Sequence, residues 1–120
     1  MDSNTNIQDL KIKVKKFCDD RDWDRFHNAK ELATALIIES AELLEPFRWK
    51  SESEVQELFD NSEKRQHIED EIADVFYFII RLSQKYNIDL SEALHKKLEQ
   101  NNKKYPLEKA KGSNKKYTEL

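Results

Sequence analysis

An all-α domain is expected of this chain on three grounds. Only one Gly and two Pro occur in 120 residues, so little in the chain breaks a helix. Charged residues make up 38% of it, and the long side chains among them lose little freedom in a helix. Apolar residues recur at three- and four-residue spacing in four separate segments, and no stretch alternates as a strand would. The length suits one domain and is too short for two ordinary cores.

In the first segment Ile7, Leu10, Val14, Phe17 and Cys18 share one face of a helix over about residues 6 to 20, which Thr5 or Asn6 can cap. DRDWDRFHNAK then interrupts the pattern with Trp23, Phe26 and His27, and Asn28 offers a cap for a second helix that ends at Pro46. Ser51 and Glu54 form a capping-box pair ahead of Val55, Leu58 and Phe59, which predicts a short extra helix. Ile68, Ile72, Val75, Ile79, Leu82 and Tyr86 stripe a third long helix over about residues 63 to 86. Asp89 and Glu92 open the fourth, lined by Leu90, Ala93, Leu94, Lys97, Leu98 and Asn101 and stopped at Tyr105-Pro106. The expected protomer is a four-helix bundle with one short additional helix, a domain over 1–106. The lysine-rich remainder, 107–120, contains Gly112 and little apolar content and is expected to stay a mobile basic tail.

The formal charge of −3 comes with no basic block able to neutralise a run of phosphates, so tight binding to duplex nucleic acid is not expected. A small phosphorylated ligand is compatible with it. Cys18 has no intramolecular disulfide partner and lies in an apolar stripe, as a buried structural thiol in a reducing cytoplasm would. The start, MDSNTNIQDL, lacks the basic and apolar regions of a leader, and no run approaches the roughly 20 apolar residues that span a bilayer. A soluble protein without a membrane partner is expected.

Between Leu32 and Leu44, LATALIIESAELL is apolar or small at nearly every position, so the second helix should be largely buried. Glu39 and Glu42 interrupt it. At i and i+3 they lie about 60° apart around the helix and one turn along it, so both carboxylates can converge on one point. Two like charges buried without a partner would cost several kcal/mol each. Glu71 and Asp74 repeat the spacing on the third helix, beside Ile72 and Val75. Two such pairs on facing helices make a box of oxygen ligands suited to a hard cation, and Mg²⁺ commonly takes a few carboxylates plus substrate phosphates. The alternative is that the acids pair with basic residues. Lys64, Arg65 and Arg81 are near enough in sequence to serve Glu71 and Asp74, whereas no basic residue falls between Lys30 and Arg48 to serve Glu39 and Glu42.

These residues resemble the MazG-like, all-α nucleoside triphosphate pyrophosphohydrolases, and within them the small dCTP pyrophosphatase-like branch. The resemblance covers about residues 7 to 106 and rests on Glu39-Ser-Ala-Glu42 and Glu71-Ile-Ala-Asp74, with RDWDRFH before the second helix, PFRW after it and NNKKYP closing the fourth. It implies a homo-oligomer, a dimer or dimer of dimers, that binds Mg²⁺ through Glu39, Glu42, Glu71 and Asp74. It further implies release of pyrophosphate from a (deoxy)nucleoside triphosphate such as dCTP, a reaction of nucleotide-pool sanitation. Trp23, His27 and Trp49 would surround base and sugar, with Lys97 and Asn101 facing phosphates or base. Each has a plainer alternative: core or interface aromatics for the tryptophans, a satisfied loop imidazole for His27, and a lysine laid along the apolar face of its helix for Lys97. Where related sequences often carry Tyr one turn beyond the last acid, this chain has Phe78, with Tyr77 adjacent. That departure leaves base preference open.

Hydrolysis at the α-phosphorus needs charge neutralisation, an aligned water and a group to accept its proton. Glu39 or Glu42 is expected in that last, catalytic role, while Glu45 either orients a second metal or is solvated. Two other readings compete. A di-iron carboxylate bundle would use Glu-x-x-His, which Glu92 and His95 supply, but such a site wants that motif on two helices and only one copy exists. A non-catalytic helical interaction module leaves the acids inside LATALIIESAELL unexplained. His67 and His95 are otherwise expected to be exposed. An apolar second helix on so short a chain also predicts a homo-oligomer, independently of the resemblance.

Overall fold

The computed structural model describes residues 1–120 and is all-helical: α1 Ile7–Asp19, α2 Ala29–Leu44, α3 Glu52–Asp60, α4 Ser62–Lys85, α5 Leu90–Lys104 and α6 Leu107–Ala110. Single turns of 3-10 helix occur at Asp24–Phe26, Glu45–Phe47 and Tyr117–Glu119. The helix starts are set by side chains that satisfy orphan backbone N–H groups. Asn6 accepts from the Asp9 N–H at 2.8 Å and Asp9 accepts from the Asn6 N–H at 3.1 Å, a reciprocal capping box. Ser51 and Glu54 make the expected capping box, at 3.0 and 3.2 Å. Asn28, Asn61 and Asp89 cap α2, α4 and α5 by accepting from Glu31, Lys64 and Glu92. Pro46 lies in the 3-10 turn that ends α2, in keeping with its missing N–H.

The chain divides into two units, Met1–Asn87 and Ile88–Leu120. In the first, α1, α2 and α3 all pack on α4. Its core is Cys18, Leu32, Leu58, Ile68 and Ile80, together with the buried Arg81 and Ser83. Cys18 is fully buried, and its Sγ lies 3.1 Å from the Tyr77 hydroxyl, tying α1 to α4. Burial and the bond to Cys18 push the Tyr77 phenol well above its ordinary value. In the second unit α5 is followed by the short α6, and Tyr105 meets Tyr117 edge to face at 6.1 Å.

One expectation fails here. The second helix is not largely buried: only Leu32 is, while Ile37, Ile38 and Leu44 are 73%, 52% and 64% exposed. Ile72 and Ile79 of α4, expected in a covered stripe, are likewise turned outward, with Phe76 beside them in sequence. The reason is geometric. Both helices are apolar on more than one face, and each can press only one face against its neighbours in the same unit.

Candidate functional site

The face that α2 turns to α4 carries the acids. Glu39, Glu42 and Glu71 each bring a carboxylate oxygen within 4.8 Å of the others. Asp74, one turn beyond Glu71, is close enough that its charge acts on both Glu39 and Glu71. Glu39 Oε2 and Glu71 Oε2 are buried and have no hydrogen-bond partner. Buried oxygens are ordinarily satisfied, so two orphans facing the same cluster mark a place for a positive or proton-bearing group. Burial, followed by the nearby Glu42 carboxylate, raises the Glu39 carboxyl above its ordinary range. Glu71 is raised by burial and then by Glu42, with His67 acting in the opposite sense. An all-carboxylate donor set with unsatisfied oxygens fits a hard divalent cation, which would remove the repulsion these shifts record.

The paired-acid alternative finds no support in the basic residues considered for it. Arg65 Nε donates to Glu69 at 3.0 Å. Arg81, 2% exposed, is committed elsewhere: its Nε donates to His27 Nδ1 at 2.8 Å, Nη2 to Asp24 Oδ1 at 2.8 Å and Nη1 to Gln84 Oε1 at 2.9 Å. The one cation near the acids is conditional, since His67 Nε2 lies 3.8 Å from Glu71 Oε1 on a side chain 59% exposed.

Arg81 therefore organises the segment before α2. Lys85 Nζ also donates to Asp24 Oδ1, at 2.8 Å, and the Tyr86 hydroxyl accepts from the first N–H of α2, at Ala29, at 2.7 Å. The Lys85 hydrogen bond, then the Lys85 and Arg81 charges, hold the Asp24 carboxyl below its usual value. Burial and the Arg81 charge lower His27. Sequence reasoning missed this cluster. Its signal was an arginine inside the apolar run FIIRLS of α4, which requires a partner once buried.

The remaining site candidates separate by location. Trp23 stands beside His27, ring centroids 6.3 Å apart, and edge-on to Phe17 at 5.6 Å, with 39% of its surface exposed. Trp49 follows the turn after α2. It is 88% exposed, has Arg48 over its ring at 5.0 Å, and sits at φ 63, a left-handed conformation rare for a bulky side chain. Lys97 and Asn101 lie on α5 of the second unit, the former exposed and the latter half-buried. Glu45 is exposed and 3.9 Å from Arg48. Tyr77 does not stand in for the hydroxyl absent at Phe78, because its own is engaged by Cys18.

A family model described as MazG-like matches residues 34–120, a span containing both acid pairs. The chain belongs to the MazG-like family. As a MazG-like protein it is 32% identical over 114 residues to dCTP pyrophosphatase 1 of Homo sapiens, covering 95% of this chain and 67% of that one. It is 30% identical over 118 residues to dCTP pyrophosphatase 1 of Bos taurus, covering 98% of this chain and 70% of the relative. Among solved structures, a pyrophosphatase from Archaeoglobus fulgidus superposes with a TM-score of 0.79 at 36% identity, over 86% of this chain and 94% of that one. These relatives support the activity class of a nucleoside triphosphate pyrophosphohydrolase for this MazG-like chain. No helix is long and apolar enough to cross a membrane.

Proposed function

We propose that the chain is a Mg²⁺-dependent enzyme that converts a (deoxy)nucleoside triphosphate, dCTP or a close relative of it, to the monophosphate and pyrophosphate. The observation that carries this reading is the pair of orphaned buried oxygens, Glu39 Oε2 and Glu71 Oε2, facing one carboxylate cluster between α2 and α4. Glu39, Glu42, Glu71 and Asp74 are the metal ligands in this reading. When bound, Mg²⁺ supplies neutralisation of the triphosphate and acidification of water. Glu39 or Glu42 takes the proton of the attacking water.

Trp23, His27 and Trp49 hold base and sugar. Trp49 supports this reading because a bare, left-handed tryptophan does nothing for the core, and strained backbone concentrates where ligands bind. Lys97 and Asn101 face the phosphates or base. The domain is residues 1–106 and the cell compartment is the cytoplasm. The protein is a homo-oligomer, a dimer or dimer of dimers, a reading supported by Ile37, Ile38, Leu44 and Ile72, each at least half exposed.

The test is a panel of NTPs and dNTPs incubated with and without Mg²⁺, with products resolved. Monophosphate plus pyrophosphate, fastest from dCTP, is expected. Diphosphate plus phosphate, or full turnover in EDTA, would overturn the reading.

A further inference from the structure

We propose that Arg81 is a positioning residue that locks His27 in the tautomer protonated at Nε2, so that the ring presents a fixed N–H donor to a hydrogen-bond acceptor on the base or sugar of the nucleotide. The lock is a property of this fold by itself; the acceptor it serves rests on the function proposed above. A guanidinium has N–H donors and no acceptor, so the 2.8 Å contact from Arg81 Nε requires a lone pair on His27 Nδ1. A neutral imidazole has one N–H, which must then be on Nε2.

The surroundings keep it there. Protonating Nδ1 would break that bond and set a third cation beside Arg81 and Lys85. The two cations already share one counter-charge, Asp24 Oδ1, at 2.8 Å each. Those are the charged groups facing the ring: Asp24 from its own segment, Arg81 and Lys85 from α4. From α1 the Lys11 carbonyl accepts from Gln84 Nε2 at 2.9 Å and so fixes the amide that receives Arg81 Nη1. Arg81 is 2% exposed and its planar guanidinium is held by three partners, so its ring contact is rigid. A histidine held in this way recognises an acceptor and serves poorly as a proton shuttle.

Two measurements separate the lock from the function. Long-range ¹H–¹⁵N correlation spectra of the full chain without nucleotide should show His27 as the neutral Nε2–H form at pH 7, with protonation only below its ordinary range. An Nδ1–H form, or a ring that titrates at or above the ordinary value of 6.5, would overturn the lock. The second is a double-mutant cycle. Arg81→Lys keeps the charge and loses the planar fork, and should raise KM about three- to ten-fold with kcat changed less than about two-fold. His27→Gln keeps a donor near the Nε2 position without needing a tautomer, so in that background Arg81→Lys should raise KM by less than about two-fold. An equal rise in both backgrounds would mean that Arg81 acts other than through His27, and the proposal fails. His27→Ala with unchanged KM would remove the nucleotide contact while leaving the spectroscopic lock standing. If Arg81→Lys does not fold, the spectra of the wild type and the His27→Gln and His27→Ala kinetics still decide each half.

Discussion

Replacing Glu39 with Gln removes one negative charge from a cluster whose oxygens lie within 4.8 Å of each other and lets a neutral amide donate to Glu42 or Glu71. Two unit charges at that distance repel by about 1 kcal/mol in bulk water and roughly 3.5 kcal/mol at an effective dielectric of 20. Glu42 is exposed and Glu39 half-buried, so the relief lies toward the lower figure, about 1 to 2 kcal/mol. For a domain of this size that is a rise of about 4 to 8 °C in Tm, measured in EDTA by calorimetry at pH 7. The pH dependence has a fixed sign. Because folding raises the Glu39 carboxyl above its unfolded value of 4.5, the penalty is absent below that pH, develops as pH rises, and is complete above the folded value. The variant's advantage should therefore shrink as pH falls toward 4.5. Saturating Mg²⁺ should stabilise wild type, by about 2.7 kcal/mol at one hundred times Kd, and the variant far less, with turnover abolished. A Glu39→Gln protein that melts well below wild type in EDTA, or that retains full Mg²⁺-dependent hydrolysis, refutes the reasoning.

Three further outcomes are expected. Light scattering at micromolar concentration should give a dimer or tetramer, and Ile37→Glu, on the barest apolar position of α2, should shift it toward monomer; a wild-type monomer counts against the covered face. Trp49→Ala should raise KM several-fold while leaving the apo Tm within about 2 °C, since little of its surface is buried; loss confined to kcat would contradict a role in holding the base. Tyr77→Phe should cost about 1 kcal/mol in urea unfolding by removing the bond to the buried Cys18 thiol, and stability equal to wild type would show that contact to be neutral.

What could be read along the chain is what depends on residues within one or two turns of each other. The caps at Asn6, Asn28, Ser51 and Asp89 are local hydrogen bonds, so helix existence and boundaries follow from the order of side chains. The two acid pairs are legible for the same reason: helical periodicity alone brings Glu39 to Glu42 and Glu71 to Asp74. That acids stranded in an apolar helix need a common partner made the meeting of the two pairs a fair expectation, and Glu39, Glu42 and Glu71 do converge. Arg81 shows the limit of such reading. It was near enough in sequence to serve the acids, yet its partners, His27 and Asp24, lie 54 and 57 residues away. Tyr77 likewise finds Cys18 across 59 residues. The outward turn of Ile37 and Ile38 was equally hidden, because periodicity gives the direction of a side chain from its helix axis and not what stands opposite. Which buried arginine neutralises which acid, and which apolar face is left bare, were decided only when α1, α2 and α3 closed on α4. Pairing and burial are properties of surfaces brought together, and the free energy of each depends on water being excluded from both sides at once.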